Sequence, residues 1–246
     1  MFPIQDSVPS RSVPVVTRAL ILINVVVFFF ELSLSRESII QLFYLFGVVP
    51  ARFTDPEWAA SIGFPIGSYW SLLTHQFLHG GWLHIVANMW TLWIFGDNVE
   101  DRMGPLRFII FYLVCGVLAA LTQVLVTPDA TIPSVGASGA IAGVLGAYLL
   151  FFPTARLIVL IPILFFPFFF ELPAVIFLVF WFFIQLFSGT AMLASPQQVG
   201  GIAFWAHIGG FIAGMLLCIF FVRRPVRRRL QPDEYGLEWA WEPRER

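Results

Sequence analysis

Long apolar stretches recur from one end of this chain to the other, and nothing else in it constrains the fold as tightly. A helix needs about 20 apolar residues to cross the hydrocarbon of a bilayer. The 246 residues accommodate several such segments with their loops. With 59% hydrophobic and only 12% charged residues, the chain lacks the polar surface that a soluble globule needs. A soluble enzyme on a single anchor, a disordered chain and a nucleic-acid binder are excluded. An all-α polytopic membrane protein is expected, with the bilayer as its solvent.

Six transmembrane helices can be drawn: Arg18 to Ser33, about Trp82 to Val99, about Pro105 to Val126, about Ala137 to Phe152, one starting near Glu171, and about Ile202 to Val222. The first is entered through Thr17 and has no small-residue cleavage pattern, so it reads as a retained signal anchor and not a removed signal peptide. The stretch Leu157 to Phe187 holds 31 apolar-rich residues broken by Pro162, Pro167 and Pro173. Proline breaks helices, so its first half is expected to be a lipid-facing loop or re-entrant piece. With six spans both termini share one side. That side carries Arg11, Arg18, Arg102, Arg107, Arg156 and the cluster Arg223, Arg224, Arg227, Arg228 and Arg229, against Arg36 and Arg52 opposite. Arginine marks the cytoplasmic side. The expected organisation is a cytoplasmic leader over 1–16, a six-helix membrane domain over 17–222 and a basic cytoplasmic tail over 223–246. The expected location is the plasma membrane.

In this topology the even-numbered spans begin at the outer face. His84 and Asn88 lie in the first two turns of the second span, Ser138 opens the fourth, and His207 sits about five residues into the sixth. All fall within roughly 10 Å of the outer helix ends. Gly136-Ala137-Ser138-Gly139 allows a tight turn with free backbone N–H groups, which can stabilise an oxyanion. The other reading is a helix-packing serine, because Gly139, Gly143 and Ala147 form a small-residue stripe. His207 shares a face with Gly210 and Gly214, so the fourth and sixth spans can approach closely. A neutral His207 could take the Ser138 proton; a structural interhelical bond is the alternative. His84 and Asn88, four residues apart, can both donate to an oxyanion. Asp97, Glu100 and Asp101 lie at the wrong end of their span and Glu171 starts on the wrong side, so a dyad is expected and not a triad.

These residues resemble the rhomboid intramembrane serine proteases over nearly all of Arg18 to Val222. The matching pieces are His79-x4-His84-x3-Asn88, Glu100-x3-Gly104, Gly136-Ala137-Ser138-Gly139 and Ala206-His207-x2-Gly210. The resemblance implies a rhomboid-like six-helix bundle with an outward-opening site. It implies Ser138 as nucleophile and His207 as general base and later acid. His84, Asn88 and the Ser138 N–H would form the oxyanion hole. His79 would be structural, with Gly136, Gly139 and Gly210 as support. Implied substrates are transmembrane helices of membrane proteins, cut near the outer interface. Two positions depart from the family pattern. The Trp-Arg often found in its first outer loop reads Trp70-Ser71 here, and the aromatic that some members carry one turn after the nucleophile reads Ala142, so either another group, such as Phe204, orients His207 or its geometry is looser.

The competing reading is a catalytically silent rhomboid-like protein that binds membrane helices. A metal or haem protein using His75, His79, His84 and His207 is weaker, because neither a His-Glu-x2-His arrangement nor a nearby Cys accompanies them. Cys115 and Cys218 read as buried, reduced and inert. No cofactor, metal or nucleic acid is expected, and oligomeric state is not legible.

Overall fold

The computed structural model describes residues 2–64, 69–163, 166–194 and 203–223. Residues 224–246, most of the expected tail, lie outside the described residues. A short strand β1 (Phe2–Asp6) precedes α1 (Val15–Leu32). An outer-loop region follows with α2 (Arg36–Phe46), α3 (Pro50–Thr54), α4 (Pro56–Ser61), α5 (Ser71–Thr74) and a 3-10 turn at His75–Phe77. Then come α6 (Trp82–Met103), α7 (Pro105–Val126), α8 (Ser138–Phe151), strands β2 (Arg156–Ile163) and β3 (Phe166–Pro173), α9 (Ala174–Leu193) and α10 (Phe204–Phe221).

Among the described residues α1, α7, α9 and α10 are long and apolar enough to cross a bilayer. The chain is a mostly helical integral membrane protein. Helix α6 is as long as α7 at 22 residues, but Asp97, Glu100, Asp101 and Arg102 crowd its last turns. Helix α8 has only 14 residues and is the hub of the bundle, buried along most of its length against α6, α7 and α10. At about 21 Å it is shorter than the roughly 30 Å hydrocarbon layer. Its first residue, Ser138, is thereby recessed relative to the ends of its longer neighbours.

Small residues set the closeness of this packing. A Cβ on Gly210 would strike the Gly139 carbonyl, one on Gly214 the Gly143 carbonyl, and one on Gly146 the Phe211 carbonyl. Helices α8 and α10 therefore touch backbone to backbone, where dispersion replaces the hydrophobic effect as the cohesive force. The turn between α6 and α7 is set by Gly104, at φ +80°, followed by Pro105 at the first position of α7.

Several expectations need correction. The protein is not all-α: β1, β2 and β3 form an antiparallel sheet in that order. The first half of the proline-broken stretch is a β-hairpin, in which Pro162 lies opposite Pro167 and Arg156 opposite Pro173. Proline forbids helix there, and β-branched and aromatic neighbours favour strand. Helix α9 starts at Ala174, just past the last proline, three residues later than drawn. The first helix begins at Val15 and not at Thr17–Arg18, because an acceptor on another helix caps it: the Glu100 carboxylate takes Val16 N–H at 2.9 Å, Thr17 N–H at 2.8 Å and Thr17 Oγ1–H at 2.8 Å. That satisfies orphan donors of the first turn and occupies a carboxylate that is only 2% exposed.

Candidate active site

Ser138 is the first residue of α8, so its N–H has no partner within the helix. Gly136 precedes it at φ +129°, a conformation that side-chain-bearing residues rarely adopt. Its N–H donates to the His75 carbonyl at 2.8 Å, tying the serine loop to the 3-10 turn. The space beside Gly136 is taken: a Cβ there would lie 2.6 Å from His84 Nε2 and 3.7 Å from Asn88 Nδ2. Glycine is required twice over, for conformation and for room.

His84 and Asn88 thus meet over the start of α8. His84 Nδ1 accepts from Gly80 N–H at 3.4 Å, which leaves Nε2 as the protonated, donating nitrogen on the Gly136 side. Asn88 is buried, and its Nδ2 has no acceptor among the described residues. A buried, unused amide donor is costly, which calls for an acceptor that arrives with a ligand. His79 packs edge-on against His84 with ring centroids 5.1 Å apart. Its backbone N–H donates to the buried Glu31 carboxylate at 3.1 Å, fixing the loop that precedes α6 to α1. Burial, with the neighbouring His84 adding to it, pushes the His79 imidazole down to about 3, and burial pushes His75 down to about 4. Burial thus favours the neutral form of both rings.

The Ser138–His207 contact is direct. Ser138 Oγ and His207 Nε2 are 2.7 Å apart. The other ring nitrogen, Nδ1, lies 2.8 Å from Gln185 Oε1. An amide oxygen only accepts, so Nδ1 carries the proton and Nε2 presents its lone pair to the serine hydroxyl. The ring also faces Trp181, centroid to centroid 6.0 Å and tilted 33°. Trp181 and Gln185 are four residues apart on α9 and project from one face. The ring is therefore held from α9, by Gln185 and Trp181, where Phe204 of α10 was expected. Neither residue was singled out from the sequence, although a glutamine inside an apolar span is a signal in itself. A second buried amide secures the start of α10: Gln123 Oε1 accepts from Ala206 N–H at 3.2 Å, one residue before His207.

The remaining expected residues act as spacers. A Cβ on Gly139 would lie 2.7 Å from Ala119 Cβ, and Gly210 rides on the Gly139 carbonyl. Ala142 is fully buried. The structure thus gathers Ser138, His207, His84 and Asn88 at one end of the bundle, with His79 behind His84.

The Rhomboid domain family model matches residues 67–224, well over half of the chain. This chain belongs to the rhomboid family. Rhomboid protease GluP of Bacillus subtilis (strain 168) is 42% identical over 83 residues, 34% of this chain and 16% of that protein. Putative rhomboid protease YdcA of the same organism is 32% identical over 139 residues, 56% of this chain and 63% of that protein. Inactive RHOMBOID-like protein 8 of Arabidopsis thaliana is 35% identical over 80 residues, 32% of this chain and 22% of that protein. This rhomboid chain spans less than two thirds of the length of these curated relatives.

Proposed function

We propose that this rhomboid is an intramembrane serine endopeptidase that cuts transmembrane helices near the outer bilayer interface with a Ser138–His207 dyad. The observation that carries the reading is the Oγ–Nε2 distance of 2.7 Å, with the far nitrogen of the ring held by Gln185. In the first step His207 Nε2 takes the Ser138 proton while Oγ bonds to the scissile carbonyl carbon. The carbonyl electron pair moves to oxygen, where His84 Nε2–H, Asn88 Nδ2–H and the Ser138 N–H are placed to receive it. His207 then gives its proton to the departing amine, leaving an ester on Ser138. Water, deprotonated by His207, attacks that ester and releases the new carboxyl end and the free serine.

The proposed setting has six spans, with α6 and α8 crossing alongside the four more apolar helices α1, α7, α9 and α10, and both termini cytoplasmic. Arginine at the α6–α7 turn and after α10 supports that orientation. Partners are membrane-protein helices in a plasma-membrane bilayer. Because one relative is named inactive, the silent helix-binding reading is the alternative. Cleavage of a single-span reporter in proteoliposomes separates the two. Wild type should cleave it and react with a fluorophosphonate at Ser138, while Ser138→Ala and His207→Ala lose both activities and stay folded. Wild-type protein that is folded yet inert to both reagents establishes the binder, and undiminished cleavage by either variant overturns the dyad.

A further inference from the structure

Strand β1 climbs the flank of α6. At its lower end the Asp6 carboxylate accepts from Asn98 Nδ2 at 2.8 Å and from Tyr148 Oη at 2.6 Å. At its upper end the Pro3 carbonyl accepts from Trp90 Nε1 at 2.7 Å. Asn98 and Trp90 are eight residues apart, about 12 Å along the helix. The charged residues of α6 begin at Asp97. The strand therefore starts at the charged end of α6 and rises beside its apolar part.

The hairpin goes higher still. Val159 pairs with Pro3 on one side and Phe170 on the other, and the two arms continue to Ile163 opposite Phe166. Four more residues of strand add about 13 Å. Across the 14 residues from Leu157 to Phe170 no side chain is polar. Polar groups return only at the base, where Arg156 and Glu171 pair at 3.3 Å with both side chains mostly exposed. At that base the Ala174 N–H donates to the Ala155 carbonyl at 2.8 Å, so β3 passes straight into α9.

Above its base, where Leu172 packs against the core, the Phe166–Phe170 part of β3 is exposed among the described residues. Phe166, Phe168, Phe169 and Phe170 are between 43% and 70% exposed, on both faces of the strand. Four open phenylalanines within five residues are an apolar patch that demands an apolar neighbour. The strand is also the free edge of the sheet, and unpaired N–H groups are expensive in hydrocarbon. The prolines lower that cost. Neither member of the Pro162–Pro167 pair can donate, so this pair takes a position without ladder bonds. By alternation the outward backbone groups of β3 then belong to Pro167, Phe169, Glu171 and Pro173. Two of these have no N–H, and Glu171 sits at the base, so Phe169 keeps the one outward N–H at depth among the described residues of this edge.

We propose that the β2–β3 hairpin is a re-entrant element seated in lipid, with the Phe166–Phe170 strand among acyl chains and the Arg156–Glu171 pair at the headgroup layer. Strand β1 clamps it to α6, and Pro173 joins it to α9. The same continuous apolar belt covers the outward faces of the helices: Leu125, Phe183, Phe187, Leu216 and Phe220 are all exposed. That the leaflet is the cytoplasmic one rests on the proposed orientation; the insertion itself does not.

The test places single thiols in the full chain, at Phe169→Cys and Phe168→Cys, with Ser10→Cys on the exposed leader as reference and the wild type, whose two cysteines are buried, as blank. Each variant that elutes as folded protein is reconstituted in phosphatidylcholine vesicles and carries an environment-sensitive fluorophore. Acyl chains brominated near mid-chain should quench the fluorophore at 168 and 169 and not at 10. A charged maleimide should react at 168 and 169 more than about tenfold slower than at 10, because apolar surroundings suppress the thiolate. Labelling as fast as at position 10 overturns the insertion. Slow labelling without bromine quenching also overturns it, since a protein segment and not lipid then covers the strand. Permeabilising the vesicles tells which leaflet is involved, so a wrong orientation is distinguished from a wrong insertion.

Discussion

Replacing Gln185 by Leu tests whether the proposed base depends on α9. The substitution keeps roughly the same bulk and removes the acceptor at 2.8 Å from His207 Nδ1. Gln185 is 7% exposed, so water does not readily replace the lost oxygen. A buried donor left without a partner costs about 1–3 kcal/mol. The ring can escape that cost by rotating or by moving its proton to Nε2, and either change withdraws the lone pair from Ser138. The whole penalty then falls on the chemical step, a loss of about fivefold to about 150-fold in kcat. KM for a single-span reporter should hardly change, because Gln185 acts on the base and not on the substrate. The rate of fluorophosphonate labelling at Ser138 should fall in parallel with kcat, since a small probe needs the activated serine and not the entry of a helix. Unchanged kcat would refute the positioning role. A rise in KM with normal labelling would refute it too, by showing that the residue matters for helix entry alone.

Two other perturbations bear on the support of the site. Gly214→Ala places a methyl against the Gly143 carbonyl and must push α10 from α8; overpacking of this kind costs about 1–3 kcal/mol. A lower thermal midpoint and reduced Ser138 labelling should appear together, because the two helices carry the proposed dyad. His75 gives a pH dependence of known sign: the unfolded chain takes up its proton near pH 6.5 and the folded chain only near about 4. Stability is therefore complete above pH 6.5 and drains away as pH falls towards 4, by about 1.4 kcal/mol per unit. Thermal unfolding in detergent at pH 7.5 and pH 5 should show the loss. His75→Asn keeps a donor for the Ser71 carbonyl without titrating, and should lower the slope by that amount, leaving the share contributed by His79, whose imidazole burial also pushes down.

The parts of the site that were legible in the sequence are those written at helical spacing. His84 and Asn88 share a helix face, as do His207, Gly210 and Gly214, and the flanking glycines announce the turn before Ser138. The parts that were not legible are bonds between elements far apart in the chain. Gln185 reaches His207 across 22 residues, the Glu31 carboxylate reaches the His79 N–H across 48, and the Glu100 carboxylate caps α1 across 83. No local period encodes such pairs. What the sequence does carry is the anomaly itself: Glu31 and Gln185 stand inside apolar helices, and each polar group there needs a partner that the fold must supply.

The hairpin escaped recognition for a related reason. In water a strand announces itself by alternating apolar and polar residues, because one face is wet. Residues 157–170 show no alternation, and their arms meet at Ile163 and Phe166 without the Asn-Gly or Asp-Gly signal of a tight hairpin. A strand with an apolar medium on both faces has no reason to alternate, so the missing period is what a lipid-seated hairpin should look like in sequence. Proline then carries the information that periodicity cannot. Pro162, Pro167 and Pro173 rule out a helix, and the even spacing of six residues between Pro167 and Pro173 along β3 puts both on the free edge, where a missing N–H is an advantage. In a soluble protein the same prolines would keep an edge from pairing with other chains. Here they reduce the number of donors an open edge leaves unsatisfied in hydrocarbon.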